Sequence, residues 1–153
     1  MAAHSKIPPS SLPRVKRCPK SLSVNQGATD DEKDNTAALE GTTAHWLAEQ
    51  ILSSYLPGSE GLRQFVQFEG TICPETNLPI TDEMIESVRV YVNHVLKIVN
   101  KNGALQTLYI EQRVEIPQIH PDCWGTLDCA IYLPNIGTLL IIDFKHGFIV
   151  VEP

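Results

Sequence analysis

The sequence predicts one α/β domain of the α+β type, with two helices ahead of a small sheet. Two stretches repeat apolar residues at helical spacing, and three later stretches carry apolar runs of strand length. At 153 residues the chain is long enough to bury a hydrophobic core. Its 42% hydrophobic and 20% charged residues are typical of a globular protein rather than a disordered one.

An N-terminal arm is predicted over residues 1–24, ahead of a main domain at 25–153. Three prolines and three serines make residues 1–13 irregular, and residues 10–24 are predicted to form a short helix or turn. The polar residues 25–35 are predicted to be a surface loop. Basic side chains cluster in the arm, which indicates either a solvated segment or one that contacts phosphate groups. These residues are Arg14, Lys16, Arg17 and Lys20.

The first long helix is predicted from residue 36 to Pro57, with Asp34 or Asn35 as its cap. His45 and Glu49 stand four residues apart on this helix and therefore share a face. Glu49 is predicted to be a structural partner of His45 or of a basic residue. Gly41 lies one turn earlier, where glycine costs about 1 kcal/mol relative to alanine. Close approach of another element is one explanation for it.

A second helix is predicted between Thr81, a capping residue, and Gly103, a stop signal. Residues 62–72 are weakly strand-like. The stronger strand candidates are residues 105–116, 125–133 and 138–145, followed by a short apolar run at 148–151.

Acidic residues interrupt the predicted strands where apolar ones are expected. Asp128 lies in the second strand and Asp143 in the third, and a buried carboxylate is costly unless it is paired or binds a metal. Lys145 follows Asp143 by two residues and so shares its face. The residues predict either an ion pair with Lys145 or Arg113, or a site for one or two divalent cations and a nucleophilic water. In the first strand, alternation places Glu111 on the face of Tyr109.

The net charge of −6 argues against nucleic-acid binding through bulk electrostatics. It is compatible with an enzyme that holds cations in an acidic pocket, because the cations change the local sign of charge. No apolar stretch reaches the roughly 20 residues of a membrane span, and no signal peptide is recognisable. The chain is therefore expected in the cytoplasm, without a membrane partner.

Four cysteines are scattered along the chain and are predicted to be free thiols. The spacing of His120, Cys123 and Cys129 matches no closed tetrahedral zinc site.

Three short motifs occur in order on the predicted elements: Gly41-x-x-x-His45, Gly125-x-x-Asp128 and Asp143-x-Lys145. This set resembles the RecB-like branch of the PD-(D/E)xK nuclease superfamily. Cys18-Pro19 and residues 108–114 are similar to an uncharacterised phage and prophage subgroup of that branch. The resemblance covers roughly residues 10–153. It implies a restriction-endonuclease-like core, with helices packed on a small mixed β-sheet, and metal-dependent hydrolysis of DNA in recombination or DNA processing.

The resemblance also implies roles for single residues, with Mg²⁺ or Mn²⁺ as the cofactor and DNA as the partner. The catalytic residues would be Asp128, Asp143 and Lys145. The metal ligands would be His45, Asp128, Asp143 and the backbone carbonyl of Phe144. Two residues are possible supports, namely Glu49 and Glu111, and Glu111 is equally well explained as a surface residue or as a holder of metal-bound water.

The family core contains a further helix and strand after the Asp-x-Lys motif, whereas this sequence ends at Pro153. We therefore expect a C-terminally incomplete core whose uncovered surface is covered by a protein partner or by a second copy. This leaves a second hypothesis, a catalytically inactive scaffold that binds and inhibits a host defence complex, as anti-CRISPR proteins do. Its acidic charge would suit a basic groove on that partner. For a phage-encoded protein the compartment would be the host cytoplasm.

Overall fold

The computed structural model of the chain describes residues 7–18, 20–21 and 32–147. Within these ranges the chain forms three α-helices and three β-strands. Their bounds in chain order are α1 (Leu12–Arg17), α2 (Glu32–Ser53), α3 (Asp82–Asn102), β1 (Leu108–Glu115), β2 (Trp124–Leu133) and β3 (Thr138–Ile142). The predicted α+β class is confirmed. The predicted loop over residues 25–31 and the apolar run at 148–151 lie outside the described residues.

Helix α2 begins at Glu32, four residues before the predicted start. The prediction of a loop over residues 32–35 is therefore wrong, because Glu and Lys are good helix formers that extend the helix at its N-terminal end. The helix buries Ala44, Leu47 and Ile51, which recur at the spacing of one helical face. It ends at Ser53, ahead of the predicted stop at Pro57.

Helix α3 has the termini that the sequence predicts. The Thr81 side chain accepts a hydrogen bond from the Met84 N–H at 3.2 Å, which caps the first turn. Gly103 closes the helix in the left-handed conformation, with φ of 61°, and its N–H donates to the Val99 carbonyl. The buried face between these ends carries Val88 and Val92, as expected for an amphipathic helix.

The three strands pair in the order β1-β2-β3, and every pairing is antiparallel. Cys129 of β2 stands opposite Ile110 of β1 and Ile142 of β3. The sheet of the described residues is thus antiparallel rather than mixed, because short connections join consecutive strands. Residues 62–72 form no strand, which corrects that prediction. They contain a 3₁₀ turn at Phe65–Gln67 and one isolated bridge from Ile72 to Pro79.

One hydrophobic core is shared by α2, α3 and the inner face of the sheet, with Leu47, Val88 and Ile131 among its fully buried side chains. The opposite face of the sheet, which we call the outer sheet face, exposes apolar side chains. They are Tyr109, Tyr132, Leu139 and Ile141, which are 40–58% exposed. None of the helices in the described ranges has the length and apolar character needed to cross a bilayer.

Candidate metal centre

Three side chains from distant parts of the sequence meet where α2 faces the sheet. His45 comes from α2, Glu111 from β1 and Asp128 from β2. The Nδ1 atom of His45 lies 3.4 Å from Glu111 Oε1 and 3.7 Å from Asp128 Oδ1. One ligand atom of each residue lies within 4.8 Å of the others. We call these three residues the His-Glu-Asp cluster.

Glu111 reaches the cluster through an unusual backbone conformation. Its φ angle is 45°, in the left-handed region that costs a residue with a Cβ atom roughly 1–2 kcal/mol. The flanking residues keep the regular register, so Glu111 stands opposite Asp128. The Glu111 carboxylate lies beside His45 of α2, and its predicted role as a holder of metal-bound water stays a prediction. Strain of this kind persists where the surrounding structure enforces it, and it is often found at functional sites.

Asp128 is fixed by a backbone hydrogen bond. The N–H of Phe144 donates to Asp128 Oδ2 at 2.6 Å, while the other carboxylate oxygen faces His45. Burial raises the pKa of Asp128, and the charges of Asp143 and Glu111 raise it further. The hydrogen bond from Phe144 and the charge of His45 oppose this rise without cancelling it. The carboxylate is therefore held in place without a partner that fully compensates its charge.

The pKa of His45 is raised from its ordinary value of 6.5. The hydrogen bond to Glu111 is the largest cause, and the charges of Asp128 and Glu111 add to it. Burial and the charge of Lys145 lower the same pKa by less. The two carboxylates therefore make His45 easier to protonate than an isolated imidazole, and a cation at the site would compete with that proton.

Asp143 and Lys145 lie beside the cluster and bind each other. Lys145 Nζ lies 2.9 Å from Asp143 Oδ1 and 2.7 Å from Asp143 Oδ2, and both side chains are more than 60% exposed. The register of β2 and β3, continued one step past Cys129 and Ile142, sets Asp143 opposite Asp128. The predicted roles of Asp143 as a metal ligand and of Lys145 in catalysis stay predictions, as does that of the Phe144 carbonyl.

Asp128 does not form the ion pair with Arg113 that was one alternative from the sequence. Its neighbours are His45 and the Phe144 backbone, whereas Arg113 pairs with Glu115 at 3.2 Å and lies over the ring of Trp124. Asp128 is therefore not neutralised by Arg113.

Two residues of α2 flank the cluster. Burial raises the pKa of Glu49, and the charges of Glu111 and Glu75 raise it as well, so Glu49 adds to a concentration of acidic groups.

Gly41 is not explained by close approach, because an added Cβ atom would meet nothing within 4 Å. It lines an open cleft of about 360 Å³ together with His45, Glu111 and Lys145. The absence of a side chain at Gly41 keeps this cleft wide.

Sequence reasoning missed the aromatic support under the cluster. The buried ring of Phe144 stacks on Tyr91 of α3 at 4.6 Å between centroids and lies 5.3 Å from the ring of His45. His146 Nδ1 lies 3.1 Å from Ser87 Oγ, which ties the segment after β3 to α3. Helical spacing in α3 was a signal that Tyr91 is buried, but only the tertiary structure brings it to Phe144.

None of the four cysteines belongs to the His-Glu-Asp cluster. All four cysteines are free, as predicted, and Cys18 is exposed while the other three are buried. Burial raises the pKa of Cys129 to about 11 and also raises that of the neighbouring Tyr91 hydroxyl.

The basic residues of the predicted arm lie at the surface in and after α1, where Arg14, Lys16, Arg17 and Lys20 are all exposed. The arm contacts the sheet through Pro9. A Cβ atom added to Gly125 of β2 would lie only 3.0 Å from Pro9 Cδ and 3.1 Å from Pro9 Cγ. Gly125 of the Gly-x-x-Asp motif therefore has a packing reason to lack a side chain.

Comparison with known proteins places the chain by sequence rather than by structure. No solved structure matches it. Residues 4–152 match a family that is described as a protein of unknown function, DUF2800. This match covers nearly the whole chain, and the protein therefore belongs to the DUF2800 family.

Proposed function

We propose that this protein is a divalent-metal-dependent deoxyribonuclease of the PD-(D/E)xK type. The observation that carries the proposal is the convergence of His45, Glu111 and Asp128 on ligand atoms within 4.8 Å of one another. The resemblance of the three ordered motifs to RecB-like nucleases supports the reaction type.

The residues fit a bound cation in spacing and in donor chemistry. Oxygen ligands sit roughly 2.0–2.1 Å from Mg²⁺ in octahedral geometry, so neighbouring ligands are about 3 Å apart and opposite ones about 4 Å. The 3.4 Å and 3.7 Å separations in the cluster are close to these values. Two carboxylates suit Mg²⁺ and Mn²⁺ equally, whereas the imidazole of His45 favours Mn²⁺. We expect His45, Glu111 and Asp128 to hold the cation, with Asp143 as a further ligand.

The remaining residues support hydrolysis of a phosphodiester in a definable way. A bound cation would polarise the phosphate and lower the pKa of a coordinated water. Lys145 lines the cleft, and its ammonium group, which pairs with Asp143, would neutralise charge that develops on the phosphate and orient the attacking water. The Phe144 N–H orients Asp128, and such outer contacts commonly tune a metal site.

The test is digestion of plasmid DNA and of single-stranded oligonucleotides with Mg²⁺ or Mn²⁺. Wild type should cut at least one substrate, and Lys145→Ala and Asp128→Ala should each lose roughly 100-fold or more of the rate. Lys97→Ala, an exposed lysine of α3, is the matched control and should keep wild-type activity. Equal silence of wild type and both site variants, with all proteins folded by circular dichroism, would refute the nuclease proposal.

Protein binding without catalysis is the second candidate, and the outer sheet face favours it. Apolar side chains from all three strands are exposed there, with Tyr132 directly opposite Leu139. Exposed apolar patches of this kind mark contact surfaces. The partner would be a protein with an apolar patch and a basic rim, because this chain carries a net charge of −6. An inhibitor of a nucleic-acid-binding defence complex has that character.

The two candidates respond differently to a change on the outer sheet face. Leu139→Glu should leave DNA cleavage by a nuclease intact, because Leu139 is far along β3 from the cluster. If wild type cuts no DNA, and Leu139→Glu abolishes inhibition of a purified nucleic-acid-binding complex, protein binding is the function. A wild type that cuts DNA and inhibits nothing contradicts this second candidate.

A further inference from the structure

Positive charge is concentrated at one end of this acidic chain. Five of the twelve Lys and Arg residues lie within the first 20 positions, and no Asp or Glu precedes Asp30. All eighteen acidic residues therefore belong to the rest of the molecule. A phosphate backbone that approaches the His-Glu-Asp cluster meets repulsion from the main domain, so that favourable contacts must come from elsewhere.

Helix α1 presents this charge to solvent on one side. Leu12 and Val15, three residues apart, are partly buried, whereas Arg14, Lys16 and Arg17 are exposed. These three basic side chains form no ion pair with any of the residues that the structure describes. Three basic residues of the main domain do form ion pairs: Arg89 with Glu86, Arg113 with Glu115 and Lys145 with Asp143.

The helix is anchored on the strand that carries Asp128. The Pro9 ring, just before α1, packs on Gly125 of β2 so closely that an added Cβ atom would lie 3.0 Å from Pro9 Cδ, and the ring would have to shift. Ser11 is 8% exposed, and its hydroxyl donates to the Pro8 carbonyl at 2.8 Å. Gly125 precedes Asp128 by three residues, which corresponds to about 10 Å along a strand. The basic helix thus adjoins the strand that carries Asp128.

We propose that α1 is the surface that binds the backbone phosphates of the nucleic acid beside the metal centre. The inference rests on the proposed function for the identity of the ligand. Exposed Arg and Lys side chains neutralise phosphates and release counterions, which makes the binding dependent on salt but independent of sequence. The partner surface is therefore a nucleic-acid backbone rather than particular bases.

The test measures oligonucleotide binding by fluorescence anisotropy in EDTA, over a series of salt concentrations. The triple variant Arg14→Gln, Lys16→Gln, Arg17→Gln should reduce the slope of log affinity against log salt by about 2–3. The matched control is Arg63→Gln, Lys97→Gln, Lys101→Gln, which removes the same charge from exposed positions of the main domain. This control variant should keep most of the wild-type slope of log affinity against log salt. Equal loss of slope in both triple variants, or none in the α1 variant, overturns the inference.

A second variant tests the anchor without changing charge. Gly125→Ala should displace Pro9 and lower oligonucleotide affinity several-fold, while Mn²⁺ binding by calorimetry stays at the wild-type level. Wild-type affinity in Gly125→Ala would contradict the anchoring role. If wild type cleaves DNA but the α1 triple variant keeps the wild-type salt slope, this inference fails and the nuclease proposal stands. If the α1 triple variant lowers the slope but wild type cleaves no DNA, the inference stands and the nuclease proposal fails. A wild type that binds no oligonucleotide overturns the inference outright.

Discussion

The backbone N–H of Phe144 donates a 2.6 Å hydrogen bond to Asp128 Oδ2 across 16 residues of sequence. This bond joins the segment after β3 to the middle of β2 and occupies one oxygen of the carboxylate. The other oxygen is left facing His45. Because the Phe144 ring also stacks on Tyr91, the core of the protein sets the orientation of a largely buried carboxylate.

Asp128→Asn should stabilise the metal-free protein. Since burial raises the pKa of Asp128, the folded state favours the protonated form, and this stabilisation is lost as the pH rises past the ordinary value of 3.8. At pH 7 the ionised group therefore costs stability, and an amide removes that cost while its oxygen still accepts from Phe144. We expect a gain of about 1 kcal/mol, or a few degrees in Tm, measured in EDTA.

Mn²⁺ should raise the Tm of wild type and leave that of Asp128→Asn unchanged. Asp143→Asn is the matched control, and its Tm in EDTA should barely move, because exposed ion pairs contribute little. Destabilisation of Asp128→Asn in EDTA, or a rise in the Tm of Asp128→Asn with Mn²⁺ as large as that of wild type, would contradict this account of the site.

Mn²⁺ affinity should rise with pH until the pH passes the pKa of His45, which lies above its ordinary value of 6.5. The pKa of His45 is raised chiefly by Glu111, and its proton must leave before the imidazole can bind a cation. Below that pKa the affinity should increase by about tenfold per pH unit if one proton is released. Calorimetry between pH 5.5 and 8.5 measures the slope, and His45→Gln should flatten it. A profile that is the same in both proteins would count against His45 as a ligand.

Glu111→Gly should be more stable than Glu111→Ala, by about 1 kcal/mol. A strand interior normally disfavours glycine. At a φ of 45°, however, glycine avoids the strain that alanine retains. Urea unfolding of the two variants gives the comparison, and both should lose Mn²⁺ affinity because both lack the carboxylate. Greater stability of the alanine variant would show that the left-handed conformation of Glu111 is not a property of the folded protein.

Gly41→Ala should stabilise α2 by about 0.5–1 kcal/mol, since glycine is costly in a helix and the added Cβ meets no neighbour. It should also slow DNA cleavage, because Gly41 lines the cleft beside His45. Gly125→Ala is the opposite case and should destabilise, since its Cβ meets the Pro9 ring. Thermal unfolding separates the two, and a destabilised Gly41→Ala would contradict the open space at this position.

Stability should fall at alkaline pH as Cys129 ionises. Burial raises the pKa of its thiol from 9.0 to about 11, so the folded state keeps the proton, and the associated stabilisation is lost as the pH rises through this interval. Burial of the Tyr91 hydroxyl acts in the same direction above pH 10. Urea unfolding at pH 8, 9.5 and 10.5 should show a smaller decline in Cys129→Ala than in wild type. Parallel declines would assign the effect to other groups.

Local sequence signals predicted much of the fold because they act within a few residues. The cap at Thr81 and the stop at Gly103 define α3, since both satisfy backbone groups of the helix ends. Apolar spacing predicted the core face of α2 from Ala44 to Ile51. The same local rules failed at residues 32–35, where polar helix formers resembled a loop.

The sequence by itself determined which chemistry-bearing residues are available, namely a helical histidine at position 45 and strand aspartates at 128 and 143. Only the tertiary structure decided which of them meet. Alternation placed Glu111 on the face of Tyr109, and the tertiary structure shows that its carboxylate lies beside His45 of α2. Asp143 pairs with its neighbour Lys145, and its role as a metal ligand stays a prediction. The physical reason is that a residue's conformation follows local rules, whereas a site forms from contacts between residues far apart in sequence, set by the packing of α2 and the Phe144 ring around one core.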